Sequence, residues 1–238
     1  MKESTRPTLA CALYSEDGSK QSEDTLRAVI LGMCKHLEEG TKTQPKHLSF
    51  STIGRGITGS SWKSYGSRQR GAQEQYRTLI RAVATELKRS RVVFFHVDGD
   101  SKWSEQRTAS VWKSLQRFRR DLQAITQFPE HDFLEVVPFY SMESWLFANI
   151  RLLRTRVRTA EEHRYLDRWA DDLAQLDEEL KIKECLPSVR NHYNSQLAAG
   201  IPCAQLKSVK TSYDDTLKRM RNSVRLIEGL RDSRSRPY

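Results

Sequence analysis

The 238-residue sequence predicts an α/β fold: a parallel sheet flanked by helices, followed by a helical C-terminal extension. Three observations carry this expectation. Four short apolar runs alternate with segments of helical periodicity, the order found when parallel strands are joined by crossover helices. The third run, Arg91-Val-Val-Phe-Phe-His-Val97, is almost continuously apolar, as a strand buried on both faces must be. From about residue 159 onward no strand pattern appears. The chain is therefore divided into an α/β unit over residues 1–155 and a helical extension over 156–238, whose basic tail from Arg231 is expected to be disordered.

The elements follow in order. Thr8 to Tyr14 is a short apolar run closed by Ser15-Glu16-Asp17-Gly18, a strand ending in a turn. Ser22-Glu23-Asp24-Thr25 supplies capping residues, and Leu26, Val29, Ile30, Met33 and Leu37 form the stripe of a helix that Gly40 stops. His47 to Ile53 reads as a second strand. Gly54 to Gly71 is rich in Gly, Ser and Lys/Arg, with Trp62 and Tyr65 interspersed, and reads as a long basic loop, functional or mobile. A helix over about Ala72 to Arg89 leads into the third strand, and another over about Ser104 to Gln127 into the fourth, Phe133 to Phe139. Ser141 is placed to cap a helix over Met142 to Leu153. Residues 159–183 and 204–231 are helical in pattern, with breaks at Leu186-Pro187 and Gly200-Ile201-Pro202; their apolar faces are expected to bury against the sheet or against a second copy.

Composition narrows the function. The net charge is +10, which favours polyanionic partners such as nucleic acid. The charge is blocked: residues 51–90 carry +6, 129–150 carry −4 and 186–238 carry +6. No apolar run approaches bilayer length, and Met1 to Pro7 has no apolar segment, so neither membrane insertion nor secretion is expected. Cys11, Cys34, Cys185 and Cys203 stand far apart without CxxC or Cys/His spacing, which argues against a zinc site and a disulfide framework and for a reduced, cytoplasmic protein. HExxH, GxSxG, P-loop and GxGxxG patterns are absent.

The chemistry is expected where the third strand ends. Asp98-Gly99-Asp100 sets two carboxylates one residue apart at a strand's carboxyl end, with a glycine that lets the backbone turn them to one side. Ligands of open α/β sheets bind at that edge, and a small set of oxygen donors suits Mg²⁺ or Mn²⁺. Glu16, or its neighbour Asp17, follows the first strand and reaches the same edge if strands one and three are neighbours. Converging carboxylates repel unless a cation sits among them. Glu143, after the fourth strand, is expected either to line the same cleft or to serve only the helix dipole. Arg55, Lys63, Arg68 and Arg70 of the basic loop are candidate phosphate contacts, with Trp62 or Tyr65 to stack on a base. Lys102 is a candidate contact to a scissile phosphate or a plain surface lysine, and His96, inside the apolar strand, reads as a core residue.

Glu16 after the first strand, Asp98 and Asp100 after the third, and a four-strand parallel core together resemble the Toprim superfamily. The run Val137-Pro-Phe-Tyr-Ser-Met-Glu143-Ser-Trp145 is similar to the E-x-W segment of its small stand-alone members, including those of bacterial defence systems. The resemblance covers about residues 7–155; it departs in having Asp17 where a glycine commonly follows the glutamate, and in the length of loop 54–71. It implies metal-dependent nucleic-acid cleavage, DNA or RNA and tRNA included, by an effector of antiphage defence. Asp98 and Asp100 would hold Mg²⁺ or Mn²⁺, Glu16 would share the metal or act as general acid/base, and Glu143 would support the site. Two other expectations stand beside it: a non-catalytic Toprim-like module that binds an ATPase partner, and a glycosyltransferase whose DxD holds a diphosphate through its cation.

Overall fold

The computed structural model describes residues 9–37, 48–54, 57, 59–99, 105–138, 142–168, 186–189, 193–209 and 211–231. Strands β1 (Leu9–Ser15), β2 (Leu48–Thr52), β3 (Val92–His96) and β4 (Phe133–Val136) form one sheet in the order β2-β1-β3-β4, all parallel. The α/β expectation therefore holds. Helices α1 (Lys20–Cys34), α2 (Arg70–Lys88) and α3 (Glu105–Ile125) make the crossovers between successive strands.

Strand periodicity sorts the core into two layers. Cys11, Leu13, Val92, Phe94, Leu134 and Val136 point to one face, where Leu26, Val29, Ile30 and Met33 of α1 meet them. Ala12, Tyr14, Val93, Phe95 and Phe133 point to the other, against Tyr76, Leu79, Ile80 and Val83 of α2 and Val111, Leu115, Phe118 and Leu122 of α3. The chain thus runs outward from β1 over one face to β2 and returns over the other face to β3. That makes the gap between β1 and β3 the point where connection direction reverses, the place where open α/β sheets leave a crevice at their carboxyl edge.

The helical extension completes the α1 face. Helices α4 (Glu143–Leu146), α5 (Ile150–Arg154), α6 (Ala160–Asp167), α7 (Asn194–Ala199), α8 (Cys203–Val209), α9 (Thr211–Asn222) and α10 (Val224–Leu230) follow β4. Trp145, Leu166, Leu197, Leu206, Tyr213, Leu217 and Leu230 join the same core as Leu13 and Phe94. Helix α7 lies along α1. At Gly229 α10 approaches β1 so closely that a Cβ would stand 2.6 Å from the Leu9 side chain. Among the described residues no helix is long and apolar enough to cross a membrane.

Three local expectations change. Helix α1 starts five residues before Thr25: Gly18, at φ +64°, turns the chain after β1, and Ser19 becomes the N-cap, its hydroxyl accepting from the Ser22 N–H at 3.1 Å. The helix expected over Met142 to Leu153 breaks in two because the Asn149 side chain caps α5, accepting from the Leu152 N–H. Trp62 is only 1% exposed and packs edge-on against Phe95, so it is a core residue and not a platform for a base. The basic loop is accordingly pinned to the sheet at a 3₁₀ turn over Gly59–Lys63. Gly40, Ser141 and residues 169–185 and 232–238 lie outside the described residues.

Candidate functional site

The site forms where β1 and β3 end side by side. The parallel register sets Ser15 opposite His96, and the ladder continues one step as the Glu16 N–H donates to the His96 carbonyl at 3.1 Å. Beyond β3 the chain stays extended along β4: the Val97 N–H donates to Val136 O and the Gly99 N–H to Pro138 O. Asp98 is therefore held at the edge between β1 and β4. Its backbone N–H donates to Glu16 Oε2 at 3.0 Å, joining two residues 82 positions apart.

This contact separates the two acids that follow β1. Glu16 turns toward Asp98, whereas Asp17 is exposed and its Oδ2 accepts the Ser19 hydroxyl at 3.0 Å, which makes Asp17 part of the α1 cap. The other oxygen of Glu16, Oε1, stands 3.5 Å from Lys63 Nζ. Lys63 comes from the basic loop, and its ammonium also lies 4.8 Å from the Trp62 ring centroid, so the buried tryptophan carries a positive charge to the rim of the site. Burial first, and then the negative Glu16, push the Tyr14 phenol well above its ordinary range.

Glu16, Asp17, Ser19, Ser22, His96, Asp98, Glu143 and Asn194 line one cleft of about 400 Å³. Glu143 reaches it from the first turn of α4. It is buried, and its Oε1 accepts from Asn194 Nδ2 at 3.1 Å. The C-terminal extension thus contributes a wall of the cleft through α7. Of the expected site residues, Glu16, Lys63, Asp98 and Glu143 come together here, while Arg68 and Arg70 are exposed around the start of α2. Arg55, Asp100 and Lys102 lie outside the described residues.

His96, expected as a core residue, is buried in β3 and also lines the cleft. It is 4% exposed, yet it faces the cleft rather than the apolar layers. Its Nδ1 is 3.3 Å from Ser15 Oγ, which in turn is close to Ser22 Oγ. Among the described residues its buried Nε2 has no hydrogen bond, and Asp98 Oδ1 stands 3.4 Å from it. The available signal was the two-residue spacing of His96 and Asp98, which in an extended chain puts both side chains on one side. Nothing in the sequence announces Asn194.

Among the described residues no group of three or more His, Cys, Asp or Glu side chains is placed to hold a metal ion. An open pair of protein donors is nonetheless the usual provision for Mg²⁺-type ions, which keep several waters and take phosphate oxygens. At the β1/β3 crevice the Asp98 carboxylate supplies one such oxygen, with the buried His96 Nε2 beside it at 3.4 Å. Comparison with protein-family models, with curated protein sequences and with solved structures returned no match.

Proposed function

We propose that the protein is a divalent-cation-dependent nuclease that cleaves phosphodiester bonds of DNA or RNA, with Mg²⁺ or Mn²⁺ as its cofactor. The observation that carries this reading is the bond from the Asp98 N–H to Glu16 Oε2, which brings acidic residues from β1 and β3 to one rim of the sheet. Glu143 and a cationic lysine line or border the same cleft. Asp98 would hold the cation, with Asp100 beside it in sequence. Such an ion supplies Lewis acidity, offsetting charge on a phosphoryl oxygen and acidifying water. Glu16 has two tasks. Oε2 fixes the Asp98 backbone, and Oε1 is the oxygen available to take a proton once Lys63 turns from it to a phosphate. Glu143, buried against Asn194, holds the far wall. Arg68 and Arg70, both exposed, supply charge for the nucleic-acid backbone. A role as an effector of antiphage defence rests on the Toprim resemblance.

The test is cleavage of single- and double-stranded DNA and of tRNA in Mg²⁺, in Mn²⁺ and in EDTA. Cutting that requires the cation and is abolished by Asp98→Asn, with the circular dichroism spectrum unchanged, supports the reading. Absence of both cleavage and nucleic-acid binding overturns it. One observation favours a second reading, the non-catalytic module: Glu16 is already engaged by a backbone N–H and by Lys63, as a structural acid would be. That reading expects co-purification of a partner protein and no loss of partner binding on Asp98→Asn.

A further inference from the structure

We infer that His96 is a metal ligand, and that His96 Nε2 and Asp98 Oδ1 together form a mixed nitrogen–oxygen site that selects a first-row transition ion such as Mn²⁺ over Mg²⁺. The inference rests on the reading of the cleft as a cation site and adds the donor that decides which cation it takes.

Four observations converge on this pair. First, Nε2 is a buried polar atom without a hydrogen bond, on a residue 96% removed from solvent that lines the cleft. Leaving such a group unpaired is unfavourable, so a partner from outside the protein is expected in the cleft. Second, the 3.4 Å between Nε2 and Asp98 Oδ1 is longer than a good N–H···O bond, which is about 2.7–3.2 Å. It does suit two ligands of one ion. Two neighbouring donors of an octahedral ion, bound at about 2.1 Å, stand about 3.0 Å apart, within a few tenths of an ångström of this separation.

Third, the other ring nitrogen faces a hydroxyl. Ser15 Oγ is 3.3 Å from Nδ1, and Ser15 and Ser22 share a close hydroxyl–hydroxyl contact. In the tautomer a metal ligand needs, Ser15 donates to Ser22 Oγ and accepts the proton on Nδ1, which turns the Nε2 lone pair into the cleft. A hydroxyl behind the distal ring nitrogen is the usual way a ligating imidazole is held in tautomer and orientation. Fourth, the backbone geometry fixes both donors. His96 is the last residue of β3, paired with Ser15, and Asp98 is tied by its N–H to Glu16. The two ligands therefore sit on a rigid strand end instead of a loose loop. Imidazole is a softer donor than carboxylate or water, so a nitrogen in place of one oxygen costs Mg²⁺ more than it costs Mn²⁺.

The experiment uses the full chain and MnCl₂ alone. Electron spin-echo envelope modulation of the Mn²⁺-bound wild-type protein should show coupling to a directly bound ¹⁴N. His96→Gln should remove that coupling and weaken Mn²⁺ binding, measured calorimetrically, by tenfold or more, with a smaller change for Mg²⁺. Ser15→Ala should keep the coupling but weaken Mn²⁺ by about tenfold, the lower end of what loss of such a support costs. Because the spectrum is taken on the unaltered protein, the test survives a variant that fails to fold. Mn²⁺ bound without nitrogen coupling, or no Mn²⁺ bound at all, overturns the inference. Nitrogen coupling without cleavage of any nucleic acid upholds the site and overturns the nuclease reading. Cation-dependent cleavage without the coupling does the reverse.

Discussion

Replacing Glu162 with Gln should destabilise the protein by about 2–3 kcal/mol at neutral pH, and the loss should vanish in acid. Glu162 is 2% exposed and lies in the first turn of α6, where it closes a capping box with Thr159. Its carboxylate accepts the N–H groups of Arg158 at 2.9 Å, Thr159 at 3.0 Å and Ser188 at 2.7 Å, and the Ser188 hydroxyl at 2.8 Å. Burial alone would raise its pKa. The hydrogen bonds, first of all that from Arg158, outweigh burial and hold it at about 2 instead of 4.5. That difference corresponds to about 3 kcal/mol of preference for the ionised form in the folded state. A glutamine keeps one acceptor but turns an NH₂ toward the same donors. The sign follows from the depressed value: the contribution is full above about pH 4.5 and is lost as pH falls through about 2. The assay is urea denaturation of both proteins between pH 7 and pH 2.5. A stability difference that stays constant over that range would refute the reasoning. The clamp matters for the cleft as well, because Ser188 precedes α7, whose Asn194 holds Glu143.

Other outcomes are expected at separate places. Trp62→Ala should cost about 3–5 kcal/mol in denaturant and, by releasing the turn that carries Lys63, weaken nucleic-acid binding in a filter assay. Cys11, Cys34 and Cys203 are buried, and burial raises all three thiols, Cys11 to about 12; they should stay unlabelled by a disulfide reagent until the protein is unfolded. Ser90 follows α2 at φ 57°, a left-handed conformation that costs a side chain about 1 kcal/mol, so Ser90→Gly should raise stability in a thermal melt.

Much of the fold was legible because the strand runs are short, apolar and followed by turns. Arg91 to Val97 reads as a strand buried on both faces, and Val93 and Phe95 do bury opposite to Val92 and Phe94. Helix ends were less legible. Ser19 and Ser22 are both serines before an apolar stripe, and only the Gly18 turn decides that Ser19 caps. Trp62 in a Gly/Ser/Arg-rich stretch looks like a surface aromatic by its neighbours; its burial against Phe95 is a contact with a strand more than thirty residues away. His96 is buried as the apolar strand predicts, but the strand pattern says nothing about whether both ring nitrogens find partners.

By itself the sequence determined the alternation of strands and helices, the buried stripes and the acidic pair that follows the third strand, because periodicity and turn chemistry act over a few residues. Tertiary structure alone decided that β1 lies between β2 and β3, that Glu16 and not Asp17 meets Asp98, and that Asn194 closes the cleft. Strand order and register are set by which faces bury together across distant segments, and a local pattern holds no record of that choice.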